Sequence, residues 1–275
     1  MSIEIKKLGG SIGAVISGVD LSEALTLGQI DEIRRAWLDH LVVFFRDQHL
    51  TCGQFLAFAR RIGRPVPYPL LPSIDGYPEI IEVLKLEHER VNFGGLWHSD
   101  TAYLDEPPMA TMLLAREVPP AGGDTLFANG YLAYETLSEG LQEILRRLDA
   151  VSSSALADVS KTREDRRGDA PPVEYESVHP VIRVHPETER CSLYVSPAHT
   201  ARFVNLTEAE SRPLLEYLFE HQVRPEFTCR FQWEPGSIAL WDNRCALHNP
   251  VNDYDGYRRS LHRITMAEDK AAFLR

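Results

Sequence analysis

Leu96-Trp97-His98-Ser99-Asp100-Thr101-Ala102-Tyr103 places an imidazole and a carboxylate two residues apart. On a strand, alternate side chains share a face, so His98 and Asp100 would project together, whereas a helix would turn them away from one another. One ion could then touch both. Neutral imidazole beside carboxylate suits a first-row divalent metal, and two His with one carboxylate on one octahedral face is an arrangement that holds non-haem Fe(II). A His and an Asp on one strand face are also a common hydrogen-bonded surface pair, so the reading turns on a third ligand from elsewhere in the chain. A barrel, which gathers side chains from distant strands, would supply it.

The chain is 275 residues long with 44% hydrophobic content, enough for a large core and near the upper end of single-domain size. One domain over 1–275 is the expectation. A formal charge of -11 argues against nucleic acid and anionic membrane surfaces, since neutralising phosphates needs a basic surface. Cys52, Cys191, Cys229 and Cys245 lie far apart with no Cys-x-x-Cys pair, which excludes a zinc knuckle or a thioredoxin-like motif and reads as reduced thiols. The N-terminus lacks an apolar run after its basic residues, and no stretch of about 18 apolar residues occurs. A cytoplasmic protein is expected.

Ahead of the His98 segment, Thr26 with Gln29 and Thr51 with Gln54 are capping boxes. They predict helices over about 26–40 and from Thr51 to Gly63, the first with Ile30, Ile33 and Trp37 at helical spacing. Ile12–Val19, Leu41–Phe45 and Glu79–Leu84 read as strands, with a proline-punctuated loop carrying Tyr68 between the last two. After Asp100, Ala110–Leu114 and the turn and strand Gly122–Phe127, which include Thr125, precede an amphipathic helix through Leu137, Leu141, Ile144, Leu145 and Leu148. The charged stretch near 152–176 reads as a mobile excursion, either a lid over a reaction site or a solvated insertion. Strand signals return at 178–183, 192–195, 227–233, 237–241 and 259–266. Thr207 with Glu210 caps a helix between them, with Ser211 as the alternative start because Pro213 would then fall in the first turn. Many short strands with Gly and Pro turns and a few peripheral helices predict a mainly β, α+β fold: a jelly roll, or double-stranded β-helix, with helical insertions.

His248, just past the strand ending at Trp241, is the candidate third ligand. If 259–266 is a strand, Arg259 and Arg263 share one face and His262 takes the other, which makes His262 the poorer ligand. Two inward arginines would need anions or internal carboxylates beside them, whereas a surface strand would simply solvate them.

His98-x-Asp100, Gly123-Asp124-Thr125, Trp241-Asp242-Asn243-Arg244 through His248, and Arg258-Arg259-x-x-His262-Arg263 together resemble the taurine dioxygenase family of Fe(II)/2-oxoglutarate oxygenases. So do Ile12-Gly13-Ala14, Ser17-Gly18-Val19-Asp20-Leu21 and Phe44-Phe45-Arg46-Asp47-Gln48, and the likeness runs from about residue 8 to 268. The resemblance implies that His98, Asp100 and His248 hold Fe(II), that Thr125 and Arg259 bind the far carboxylate of 2-oxoglutarate, and that O2 completes the set. It also implies a homodimer or homotetramer. A guanidinium suits the far carboxylate because it grips with two parallel hydrogen bonds, which a lysine cannot reproduce. The expected chemistry is hydroxylation of a substrate coupled to conversion of 2-oxoglutarate to succinate and CO2.

By the same resemblance Arg263 matches a substrate-anion arginine. Tyr68 stands where taurine enzymes carry a sulfonate-binding His, Gly94 where they carry an Asn, and His199 where they carry a pocket Phe. These departures argue against taurine itself and for another small organic anion: a different sulfonate, a sulfate ester, an aryloxyalkanoate or a carboxylic acid. Two other classes of function stand beside this one. A cupin-like hydrolase or isomerase would keep the metal and drop the cosubstrate, and a metal-free jelly-roll module would use Arg259 and Arg263 only to bind an anion.

Overall fold

The computed structural model describes residues 2–69, 71–156 and 174–268. Its largest sheet runs, in spatial order, through Glu4–Lys7, Ala14–Ser17, Val42–Phe45, Ile238–Asp242, Ala110–Glu117, Arg259–Ala267, Tyr77–Lys85 and Ser73–Ile74, with Arg64–Val66 pairing off Arg259–Ala267. A second sheet sets Thr125–Asn129 between Thr228–Phe231 and Ala246–Pro250. The central neighbours are distant in sequence and antiparallel, as a jelly roll requires.

Period-2 patterning explains how one strand serves two layers. Val43 and Phe45 join the helices on the outer face, in a cluster with Ile33, Trp37, Phe55, Ile238 and Ile264. Phe44 points the other way, into the barrel with Phe127, Phe231, Trp241 and Leu261. There it stacks on Phe231 at a centroid distance of 4.0 Å and meets Phe127 edge-on at 5.5 Å. Full burial of such side chains is worth roughly 1.5–3 kcal/mol each, so the contact between the two sheets is apolar by construction.

Both outer helices begin where their capping boxes predict, as Leu27–His40 and Cys52–Ile62. The first ends because Leu41 takes a left-handed conformation at φ 63°, its N–H donating to the Trp37 carbonyl, and the strand starts at Val42. Thr207 also caps with Glu210, and the helix runs Glu208–Gln222 with Pro213 inside it. The later start at Ser211 is therefore wrong, because the reciprocal cap at Thr207 outweighs the one backbone donor that Pro213 lacks. Of the helix expected through Leu137–Leu148 only Glu139–Leu145 forms, preceded by a separate short helix, Gly130–Glu135, capped by Asn129. These elements build a third core cluster around Leu145, Phe203 and Leu218.

The excursion expected near 152–176 starts later and ends sooner, since Asp149–Ser153 and Glu176–Pro180 form an antiparallel pair. Its centre, 157–173, lies outside the described residues. Among the described residues no helix is long and apolar enough to cross a membrane.

Candidate active site

The strand expected around His98 is reduced to a single residue. His98 makes an isolated antiparallel bridge with His248, and Thr101 turns the chain away at φ 48°. His248 sits not past a strand but within one, Ala246–Pro250. His98 and Asp100 nevertheless converge: His98 Nε2 lies 3.6 Å and His248 Nε2 3.9 Å from Asp100 Oδ1. The three ligand atoms lie within 4.8 Å of one another, and all three residues are buried.

Each member is held by a neighbour. His98 Nδ1 lies 2.6 Å from the Leu96 carbonyl, the bond expected of an N–H there, which leaves the Nε2 lone pair facing Asp100. Gly94, at φ 77°, packs against the same ring, where a Cβ would stand 2.9 Å from His98 Cε1. Thr111 Oγ1 donates to Asp100 Oδ2 at 2.5 Å and accepts from Asn243 Nδ2 at 2.9 Å, while Trp241 Nε1 donates to Asn243 Oδ1 at 2.9 Å. Asp100 is thereby oriented by a relay that begins at an indole on the facing strand.

Burial by itself would raise the Asp100 carboxyl, but the Arg263 guanidinium, aided by His248 and His98, holds it well below the usual carboxylate range. Burial, reinforced by His98, keeps His248 well below the ordinary imidazole value. An ionised carboxylate beside a neutral imidazole is the donor set a divalent metal takes.

The registry of Arg259–Ala267 sorts its side chains as the alternation predicts. His262 lies outside the barrel, accepting from Arg116 Nε at 3.1 Å, whereas Arg259 and Arg263 line the same cavity as the His-Asp-His group. Arg263 Nη2 is 2.8 Å from Asp100 Oδ1, and its guanidinium lies 4.7 Å from the Tyr68 ring centroid. Arg259 is buried between the rings of Trp233 and Tyr254, 5.7 and 5.9 Å away, and its Nε and Nη2 have no hydrogen-bond partner. Thr125 Oγ1 accepts from Trp233 Nε1 at 3.0 Å, which leaves its own hydroxyl hydrogen to give. The cavity between them is walled by Val83, Phe93, Leu113, Trp241 and Pro250.

His199 is buried with its ring 5.7 Å from His98 and 5.0 Å edge-on from Tyr103, and burial pushes it down to about 3. Tyr103, Trp233 and Tyr254 escaped the sequence reading. Trp233 had a signal, since it continues the alternation of Phe227–Trp233, but nothing local marked the other two.

A second buried group, His185, Asp242 and Cys245, lies outside this cavity. Both Asp242 oxygens are committed to Arg244 and His185, so this group braces the turn into Ala246–Pro250.

The model of the Taurine catabolism dioxygenase TauD, TfdA family matches residues 4–265. The chain belongs to that family. A protein named alkylsulfatase from Acinetobacter baylyi is 37% identical over 96% of this chain and 85% of its own length. The alpha-ketoglutarate-dependent sulfate ester dioxygenase of Pseudomonas putida is 34% identical over 97% of this chain and 90% of its own. The crystal structure of a taurine dioxygenase from Burkholderia xenovorans superposes with a TM-score of 0.83 at 40% identity, covering 98% of this chain and 90% of the other. The chain is accordingly an oxidoreductase of the alpha-ketoglutarate-dependent dioxygenase class, whose cofactors are Fe(II), 2-oxoglutarate and O2. The buried His-Asp-His group and the unpartnered Arg259 nitrogens fit that set.

Proposed function

We propose that His98, Asp100 and His248 hold Fe(II), that Thr125 and Arg259 hold the far carboxylate of 2-oxoglutarate, and that Arg263 with Tyr68 receives a small organic anion. The reaction converts this anion, 2-oxoglutarate and O2 into hydroxylated product, succinate and CO2. Bound Fe(II) would supply the binding and reduction of O2. The chain's own residues supply position and charge. Leu96 and Gly94 fix the His98 ring, Thr111 fixes Asp100, and Arg259 can grip a carboxylate with two parallel hydrogen bonds while Thr125 donates a third.

The observation that carries this reading is a pair of unbonded guanidinium nitrogens buried in the same cavity as three convergent metal-ligand atoms. A metal-dependent hydrolase has no use for Arg259 in that state, and a metal-free binder has none for the His-Asp-His group. Among candidate anions a sulfate ester comes first, supported by the names of the two relatives above. His199 and Tyr103 would shape the wall beside it. Gly94 serves the His98 ring rather than the substrate. A cytoplasmic homodimer or homotetramer of one jelly-roll domain completes the proposal, and four free cysteines suit a reducing compartment.

The test is anaerobic addition of 2-oxoglutarate to Fe(II)-loaded protein, followed by succinate release in air with alkyl sulfates, sulfonates, aryloxyacetates and fatty acids. A metal-to-ligand charge-transfer band and anion-dependent succinate are expected. No band would end the cosubstrate assignment, and succinate release indifferent to every anion would end the substrate assignment. Arg263→Ala should weaken the prime substrate more than 2-oxoglutarate.

A further inference from the structure

Lys85 ends the strand Tyr77–Lys85 directly opposite Arg259, so the two side chains leave the sheet on the same face. It is buried. Its ammonium stands 4.5 Å over the Tyr254 ring and donates to the Tyr254 carbonyl at 3.5 Å. The Arg259 guanidinium approaches the same ring at 5.9 Å. Tyr254 thus meets two cations. Among the described residues no carboxylate forms an ion pair with Lys85 or with Arg259; Asp124, the acid next to Thr125, adds a favourable charge to Arg259 from a distance, but its Oδ2 is bonded to Arg230.

Adjacent buried like charges without a directly bonded acid are costly, since each loses its hydration and they repel one another. A core that needed only volume here would carry Leu or Met. The arrangement makes physical sense when an anion enters beside it.

We propose that Lys85 is a second cation of the 2-oxoglutarate site, bracing Tyr254 beside Arg259 and adding positive potential where the far carboxylate binds. No motif marks it, because a lysine at a strand end reads as solvated. Lys85 is a positioning residue: it acts through Tyr254 and through its field, and Arg259 makes the contact. The inference rests on the assignment of Arg259 to that carboxylate.

The test compares wild type, Lys85→Met, Lys85→Gln and Lys85→Arg, each loaded with Fe(II) under anaerobic conditions and titrated with 2-oxoglutarate by tryptophan fluorescence. Lys85→Met should raise the dissociation constant about tenfold, and Lys85→Arg should stay within about threefold of wild type. 2-Oxobutyrate, which lacks the far carboxylate, should bind all four alike. The melting temperature of the ligand-free Lys85→Met protein should hold or rise, because a buried charge has been replaced by an apolar chain of similar length.

Unchanged 2-oxoglutarate affinity in Lys85→Met would overturn the proposal, as would an equal loss for 2-oxobutyrate. Failure of both Lys85→Met and Lys85→Gln to fold would assign the lysine to the fold and also overturn it. Wild type that binds no 2-oxoglutarate would instead remove the Arg259 assignment beneath it.

Discussion

His98 and His248 exchange both backbone hydrogen bonds, at 3.0 and 2.9 Å, and their rings stand 4.1 Å apart. A loop residue is thereby registered against a barrel strand as firmly as a strand would be. The His-Asp-His group depends on this one bridge rather than on a strand through Asp100.

Gly94→Ala should loosen the proposed metal site without replacing any of His98, Asp100 and His248. The new Cβ would stand 2.9 Å from the His98 ring, at a φ of 77° that L side chains rarely adopt. Disturbing a group that orients a metal ligand typically costs about 10–100-fold in metal affinity. Competition with a fluorescent Fe(II) chelator measures it, and wild-type affinity would show that the ring needs no such clearance.

Thr111→Val should destabilise the metal-free protein by about 1–3 kcal/mol, since it strips a hydrogen bond from Asp100 and leaves the Asn243 amide without its acceptor. Urea unfolding reports the change. A loss under about 0.5 kcal/mol would mean that the relay from Trp241 does not orient the carboxylate.

Arg259→Lys should raise the 2-oxoglutarate requirement about 10–100-fold while Fe(II) binding stays as it was, because a forked contact becomes a point charge. Equilibrium titration of both proteins decides it. Equal dissociation constants would remove the bidentate grip from the site.

The metal-free protein should lose stability below about pH 6.5. Burial holds His199 down at about 3, so below the ordinary value of 6.5 the unfolded chain takes up a proton that the folded chain refuses. Stability is then complete above 6.5 and declines by about 1.4 kcal/mol per pH unit for that residue as the pH falls towards 3. His248, also held low by burial, adds in the same direction. Urea unfolding at a series of pH values should give a shallower slope for His199→Phe, and an unchanged slope would show that His199 is protonated in the fold.

Local signals were sufficient where local physics decides. The capping boxes at Thr26, Thr51 and Thr207 each start a helix, the last of them in spite of Pro213, and alternation in 259–266 separates Arg259 and Arg263 from His262. They failed where distant contacts override them. His98 was read as part of a strand because His-x-Asp suits one, yet Thr101 turns the chain and His248 supplies the register. The strand Ala246–Pro250 carries no local signal, because its five residues show no clear period and its pairing with Thr125–Asn129 is long-range. Gly94 packs against the His98 ring, a contact that no local pattern in the sequence announces.

The order of residues therefore determined which chemical groups this protein possesses: two imidazoles, an acid, two inward arginines and the alternation that aims them. Only the tertiary structure decided which of those groups meet, which hydrogen bonds orient them and that Lys85 lies beside Arg259. The physical reason is range: caps and strand faces are set within a few residues, whereas a buried charge takes its partners from strands that come together only when the barrel closes.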